Sequence, residues 1–328
     1  MEPAEEAIMQ DSDPDSTRGL KSDPNLPSNL IVRRAVLGYA AAAMAGSLTA
    51  CSGTSARNAA QAAASSRRRF QNKVVVITGA TSGIGRAAAL QFAAEGGKVA
   101  FCGRRENLGR EVEHQIRSQA GEATYIRADV RNESDVKAFI DRAVEKYGRL
   151  DVAFNNAGIT LEKPLHEYSS AEWDDVLNTN LRGVFLAMKY EVSYMLAAGG
   201  GNIVVTASSN AIATTDKRSA YTASKRGLVG LVQSAALDYA QKGIRVNALI
   251  PGTTDTALVR RAAHMENVPD AVWEIAAAQW AKSHVPGLER MAKPEEIAAF
   301  ALALASDDFP YMTGAQMVLD GGKTAHAG

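Results

Sequence analysis

The stretch Lys73–Arg105, KVVVITGATSGIGRAAALQFAAEGGKVAFCGRR, decides the fold. Val74–Thr78 is an apolar, β-branched run with no polar face, which marks a strand buried on both sides. GATSGIG is a glycine-rich turn, and RAAALQFAAEGG reads as a helix stopped by Gly96 and Gly97. Val99–Cys102 is a second short strand. The rhythm continues with a helix near 106–119, strand ATYIRA, a helix near 134–147 and strand LDVAFNNAG. A long helix near 170–197, strand GNIVVTAS, a helix carrying YTASK, strand IRVNALI, helical segments to about 305 and strand AQMVLDGG complete it. Strands alternating with helices predict an α/β fold: one Rossmann-type, doubly wound parallel sheet with helices on both faces, over residues 71–328.

The glycine turn has a physical reading. Gly79, Gly83 and Gly85 form T-G-x-x-x-G-x-G between a strand and a helix. Glycine lets the backbone turn tightly and approach a pyrophosphate, and the helix N-terminus adds free N–H groups and positive dipole. Gly79, Thr81, Ser82, Gly83, Ile84 and Gly85 are therefore candidate dinucleotide contacts. About 20 residues past such a turn, an NAD-binding chain offers an acid to the ribose 2′-hydroxyl. Here the place reads CGRRE, with Gly103 where the acid would stand, then Arg104 and Arg105, with Glu106 adjacent. Arginine suits a 2′-phosphate, so NADP is expected as the cofactor, with NAD the alternative.

Composition narrows the field. The 328 residues are 46% hydrophobic and 22% charged, with 36 basic and 36 acidic side chains. Zero net charge argues against nucleic acid as a partner. Two cysteines and five scattered histidines offer neither a disulfide framework nor metal-ligand spacing, so no metal is expected.

The first seventy residues differ from the rest. Residues 1–30 hold seven acidic residues and read as a disordered lead. In residues 31–51, Arg33 and Arg34 precede an apolar run of about sixteen residues ending in LTAC, Leu48–Cys51. That run is short for a membrane span, which needs about 20 residues. Paired arginines, a short apolar segment and small residues at its end are the parts of an export signal. The stretch resembles a bacterial twin-arginine signal with a lipoprotein-type cleavage site, which implies a lipid anchor at Cys51 and a place in the cell envelope or periplasm. The alternative is an Ala-rich tail on a cytoplasmic protein. Residues 52–70 read as a flexible tether.

YTASK, Tyr221–Lys225, places a phenol and an ammonium four residues apart, on one face of a helix. A nearby cation lowers a phenol pKa from about 10, so the pair suits acid/base work. With TGATSGIG at 78–85, NNAG at 155–158 and SS at 208–209, it resembles the short-chain dehydrogenase/reductase family. ADV at 128–130, NTNLRGVF at 178–185, PGTTDT at 251–256 and LDGG at 319–322 extend the likeness over about Lys73 to Gly322. The glycine spacing matches the family's shorter form rather than its sugar-nucleotide form.

The resemblance implies hydride transfer between a secondary alcohol and a ketone. Its catalytic four fall on Asn180, Ser208, Tyr221 and Lys225, Ser208 being chosen because it lies thirteen residues before Tyr221. Tyr221 would move the proton. Lys225 would lower the Tyr221 pKa and hold the nicotinamide ribose, Ser208 would orient the substrate oxygen, and Asn180 would anchor a water leading to Lys225. Asp129 and Val130 would meet the adenine. Asn155, Ala157 and Gly158 would line the ribose, although this segment also serves to hold a central sheet together. Pro251, Gly252, Thr254 and Thr256 would close on the carboxamide. The family's habit of forming tetramers or dimers implies a homo-oligomer through 170–197 and 219–242.

Two other readings stand beside this one: a catalytically silent dinucleotide sensor or scaffold, and an epimerase or dehydratase that retains its cofactor. Substrate choice is expected in 257–290, where Trp273 and Trp280 either wall a pocket or pack a lid onto the domain.

Overall fold

A computed structural model describes residues 68–325. The expectations for the acidic lead, the Arg33–Arg34 signal and Cys51 lie outside the described residues. Seven parallel strands pair in the order β3-β2-β1-β4-β5-β6-β7. They are β1 (Val74–Thr78), β2 (Lys98–Gly103), β3 (Glu122–Arg127), β4 (Val152–Asn155), β5 (Gly201–Thr206), β6 (Ile244–Pro251) and β7 (Gln316–Leu319). The helices are α1 (Gly83–Ala94), α2 (Glu106–Ser118), α3 (Glu133–Tyr147), α4 (Ser170–Leu177), α5 (Gly183–Ala198), α6 (Ser219–Tyr239), α7 (Ala257–Ala262), α8 (Asp270–His284) and α9 (Pro294–Ala305).

Every residue of β1 is buried, because both faces of the sheet are covered. Period-2 alternation divides its side chains between two cores. Val76 joins the apolar cluster built with α3, α5 and α6, whereas Val75 and Ile77 join the one built with α1, α2 and α9. The chain winds outward from β1 through β2 to β3, then returns to place β4 on the other side of β1. That reversal makes a crevice at the carboxyl ends of β1 and β4, where sheets of this kind take ligands.

Two boundaries differ from the sequence reading. Phe70, assigned above to the tether, is 1% exposed and packs edge-on against Phe92 with ring centroids 4.7 Å apart. Arg69 beside it pairs with Glu95 at 2.6 Å. Burying one such ring stabilises the fold by roughly 2–3 kcal/mol, so the folded unit begins before the change of pattern at Lys73. The second difference lies in the helix expected near 170–197. It is interrupted by one π-turn, Asn178–Arg182, between α4 and α5. Such π-turns concentrate at functional sites.

Candidate active site

The carboxyl ends of β1, β2, β4, β5 and β6 open into one cavity of about 870 Å³, roofed by α7 and α8. At one end is the β1–α1 turn. Gly79 has φ +71°, and a Cβ there would lie 2.6 Å from Ala157 Cα. Only glycine combines that conformation with that approach. The N-terminus of α1 has no side-chain cap and no acidic residue in its first turn, and Ser82, Gly83 and Ile84 face the cavity. Free N–H groups with no competing carboxylate form a receptor for a pyrophosphate. The residues present therefore fit a dinucleotide.

Thr81, Ser82, Arg104 and Arg105 line the same end. Arg105 donates from Nη2 to Thr81 Oγ1 at 2.9 Å and to Ser82 Oγ at 2.5 Å. Burial pulls its guanidinium below the usual pKa, with further lowering from Arg261 and Arg104. Arg261, on α7, is a third cation at this end that sequence reading missed; it is 156 positions from Arg105 and belongs to no motif. Gly103 cannot carry the acid of an NAD site without displacing Thr81, since its Cβ would fall 2.6 Å from Thr81 Cγ2. Glu106 turns to Arg110 at 3.5 Å and does not line the cavity. Asp129 and Val130 do line it, but Arg131 grips both Asp129 oxygens and lowers the carboxyl pKa.

Two expected cofactor contacts lie elsewhere. Gly85 faces away from the cavity; its Cβ would clash with Gly79 O at 2.5 Å and Asn156 Nδ2 at 2.6 Å, so its role is close packing of turn and helix. Asn155 is 1% exposed and donates from Nδ2 to Glu191 Oε2 at 2.8 Å, behind the sheet. The alternative reading of that segment, holding the sheet together, describes its contacts. Its neighbour Asn156 is the one lining the cavity, and it bonds Thr78 O and Gly79 O across the β1–β4 switch. Alternation along a strand makes this an all-or-none choice between neighbours. Ala157, Gly158, Pro251, Gly252, Thr254 and Thr256 line the cavity as expected.

Of the four expected catalytic residues, Ser208, Tyr221 and Lys225 line the cavity and Asn180 stands behind it. Ser208, just past the end of β5, accepts from Asn210 N at 3.2 Å and lines the cavity with Tyr221. Tyr221 is part-buried as a residue. Desolvation of its hydroxyl raises its pKa, opposed by the nearby Ser208 hydroxyl and by the charge of Arg218. The expected effect of Lys225 is therefore corrected. Lys225 Nζ donates to Thr206 O at 2.7 Å and lies 5.7 Å from the Tyr221 ring centroid. Burial lowers its own pKa to about 8. Helical spacing put the two on one face, but the backbone carbonyl at the end of β5 captures the ammonium.

Asn180 is fully buried on the π-turn. Its Oδ1 accepts from Ile159 N at 2.8 Å, and its Nδ2 donates to Ile159 O at 2.9 Å and Ser224 Oγ at 3.0 Å. The side chain thus fixes the 158–160 loop and α6. A Cβ on Gly158 would sit 3.4 Å from Asn180 Oδ1 and 3.6 Å from Lys225 Nζ, which shows how closely these groups converge.

Both tryptophan readings describe what is seen. Trp273 is 2% exposed and packs α8 down, donating from Nε1 to Asp255 Oδ1 at 2.8 Å. Trp280 lines the cavity and stacks on His284 with centroids 4.3 Å apart and planes 5° apart.

A family model described as enoyl-(acyl carrier protein) reductase matches residues 79–324. The chain belongs to the short-chain dehydrogenase/reductase family. It is 40% identical over 257 residues to an uncharacterized oxidoreductase of Thermotoga maritima, covering 78% of this chain and 99% of that one. It is also 40% identical over 258 residues to cyclohexanol dehydrogenase of an Acinetobacter species, covering 78% and 97%. The crystal structure of levodione reductase superposes with a TM-score of 0.73 at 34% identity, covering 79% of this chain and 100% of that one. As a family member the protein is an NAD(P)-dependent oxidoreductase.

The Asn155–Glu191 pair generates a pH prediction. Asn155 Oδ1 and Glu191 Oε1 have no hydrogen-bond partner, and burial raises the Glu191 carboxyl to about 8. Between the ordinary carboxyl range and pH 8 the folded state holds a proton that the unfolded state has released, so stability falls as pH rises through that window. Urea midpoints measured from pH 5 to 8 should show this decline in the wild type and a flatter profile in Glu191→Gln. Parallel profiles would contradict the neutral-acid assignment.

Proposed function

We propose that the protein interconverts a secondary alcohol and its ketone with NADP(H), Tyr221 carrying the proton. The observation that carries this reading is that Ser208, Tyr221 and Lys225 line one cavity whose other end is the glycine turn and the arginines. A bound nicotinamide supplies or accepts the hydride. Tyr221 gives its hydroxyl proton to the substrate oxygen in reduction and takes it back in oxidation. A phenol is protonated at neutral pH, the form that reduction consumes, and burial shifts Tyr221 further in that direction. Ser208 orients the substrate oxygen by hydrogen bonding. Lys225, fixed on Thr206 O, would hold the ribose alongside Tyr221. Asn180 positions the 158–160 loop beneath them.

Arg104 and Arg105, with Arg261 opposite, support NADP over NAD. A 2′-phosphate would relieve the mutual repulsion of three cations, and the guanidinium fork suits its oxygens. A ring alcohol is the substrate class favoured, because the relative named cyclohexanol dehydrogenase aligns along nearly its whole length. Export to the envelope with a lipid on Cys51 is a separate proposal, supported by Arg33–Arg34 and LTAC alone.

Cyclohexanone reduction with NADPH tests the first reading. Tyr221→Phe should lower kcat by at least about 100-fold, the scale of lost general acid catalysis, with NADPH affinity within about threefold of wild type. Undiminished turnover would overturn the role given to Tyr221. For the anchor, feeding native cells a palmitate analogue should label the wild-type protein but not Cys51→Ser. Absence of label on the wild type would sink the proposal.

A further inference from the structure

Ser208 has a companion that no motif marks. Just past β5 the chain makes a 3₁₀ turn, Ser209–Ala211, with Ala211 N donating to Ser208 O at 2.8 Å. The turn begins on Ser208, whose Oγ accepts from Asn210 N at 3.2 Å. It also brings the Asn210 side chain back to that hydroxyl, and Ser208 Oγ donates to Asn210 Oδ1 at 3.4 Å. Asn210 is 6% exposed and lines the cavity together with Ser208, Tyr221 and Lys225.

The hydroxyl decides which corner of the carboxamide faces it. Ser208 Oγ already receives the Asn210 backbone N–H, so its single proton is what it offers the side chain, and Oδ1 is the atom that can take it. The NH2 therefore occupies the other corner of the planar amide. Among the described residues, Asn210 Nδ2 meets no acceptor. The neighbouring amides differ: Asn155 donates to Glu191, Asn156 to Thr78 O and Gly79 O, and Asn180 to Ile159 O and Ser224. A desolvated amide donor without an acceptor costs stability. Its placement has a chemical rationale if the occupant of the cavity brings the acceptor.

We propose that Asn210 is a specificity-determining residue that selects a second oxygen on the substrate: an acceptor on the carbon next to the reacting one. An amide NH2 only donates, so the group it takes is a carbonyl, ether or hydroxyl oxygen. The adjacent carbon follows from contact, because Asn210 touches the very hydroxyl that orients the reacting oxygen. From there the NH2 reaches one carbon further, not across a ring. The 3.4 Å contact is longer than an ordinary hydroxyl hydrogen bond, so Ser208 can turn its proton to the reacting oxygen while Asn210 holds the second. This rests on the reading of Ser208 and Tyr221 as the groups that act on the carbonyl.

Calorimetric titration of the full-length protein with oxidised NADP present, so that no ketone can be reduced, tests the inference. The probes are 2-methoxycyclohexanone and 4-methoxycyclohexanone, isomers that differ only in where the acceptor oxygen stands. The 2-isomer should bind at least about fivefold more tightly, the scale of one neutral hydrogen bond. That preference should vanish in Asn210→Leu and in Asn210→Asp, the second of which keeps an acceptor toward Ser208 and puts an oxygen in place of the NH2. Equal binding of the isomers, tighter binding of the 4-isomer, binding of neither, or an unchanged preference in Asn210→Asp would overturn the assignment. No hydride moves in this experiment, so a failure of ketone reduction under NADPH would count against the alcohol–ketone reading alone.

Discussion

Backbone touches backbone where the sheet reverses direction. The turn after β1 and the residues after β4 approach so closely that a methyl group at Gly79 would overlap Ala157, and one at Gly85 would overlap Gly79 O and Asn156. That contact brings the uncapped N-terminus of α1 to the crevice, and Asn156 ties the two loops by bonding Thr78 and Gly79. The rest of the site is referenced to this junction. Gly158, two residues on, lies beside Asn180 and Lys225, and Asn180 links that loop to α6 through Ser224. A shift of the switch point would therefore reach the glycine turn and Tyr221 together.

Electrostatics follow from burial more than from pairwise contact. Tyr221 and Lys225 share a helix, yet burial of the phenol and of the ammonium dominates both of their pKa shifts, each toward the neutral form. Positive charge is instead crowded at one end of the cavity, where Arg104 and Arg261 stand close enough to Arg105 to lower its pKa further. Such an arrangement favours an anionic group there.

Much of this was legible in the residues. The fully apolar β1 run, the glycine turn and the alternation of strand and helix led directly to the parallel sheet, because each is a local pattern with a single packing solution. Ser208, Tyr221 and Lys225 converge as their motifs suggested. What escaped had no local signature. Arg261 and Lys323 reach the cavity from α7 and from the turn at 320–324, and only tertiary packing brings them there. The π-turn at Asn178–Arg182 lies inside an otherwise continuous helical stretch. Asn155 and Asn156 differ by one position, and the strand pleat sends one behind the sheet and the other to the site. Phe70 sits in a polar, arginine-rich context that hides its place in the core.

Under the proposed function, the glycine turn and its arginines hold a 2′-phosphorylated dinucleotide. Parallel fluorescence titrations of the full-length protein with NADPH and NADH, for wild type and Arg105→Ala, test this. NADPH should bind at least about tenfold more tightly than NADH to the wild type, with the difference largely erased in Arg105→Ala. NADH binding as tightly as NADPH, or an undiminished preference in Arg105→Ala, would contradict it.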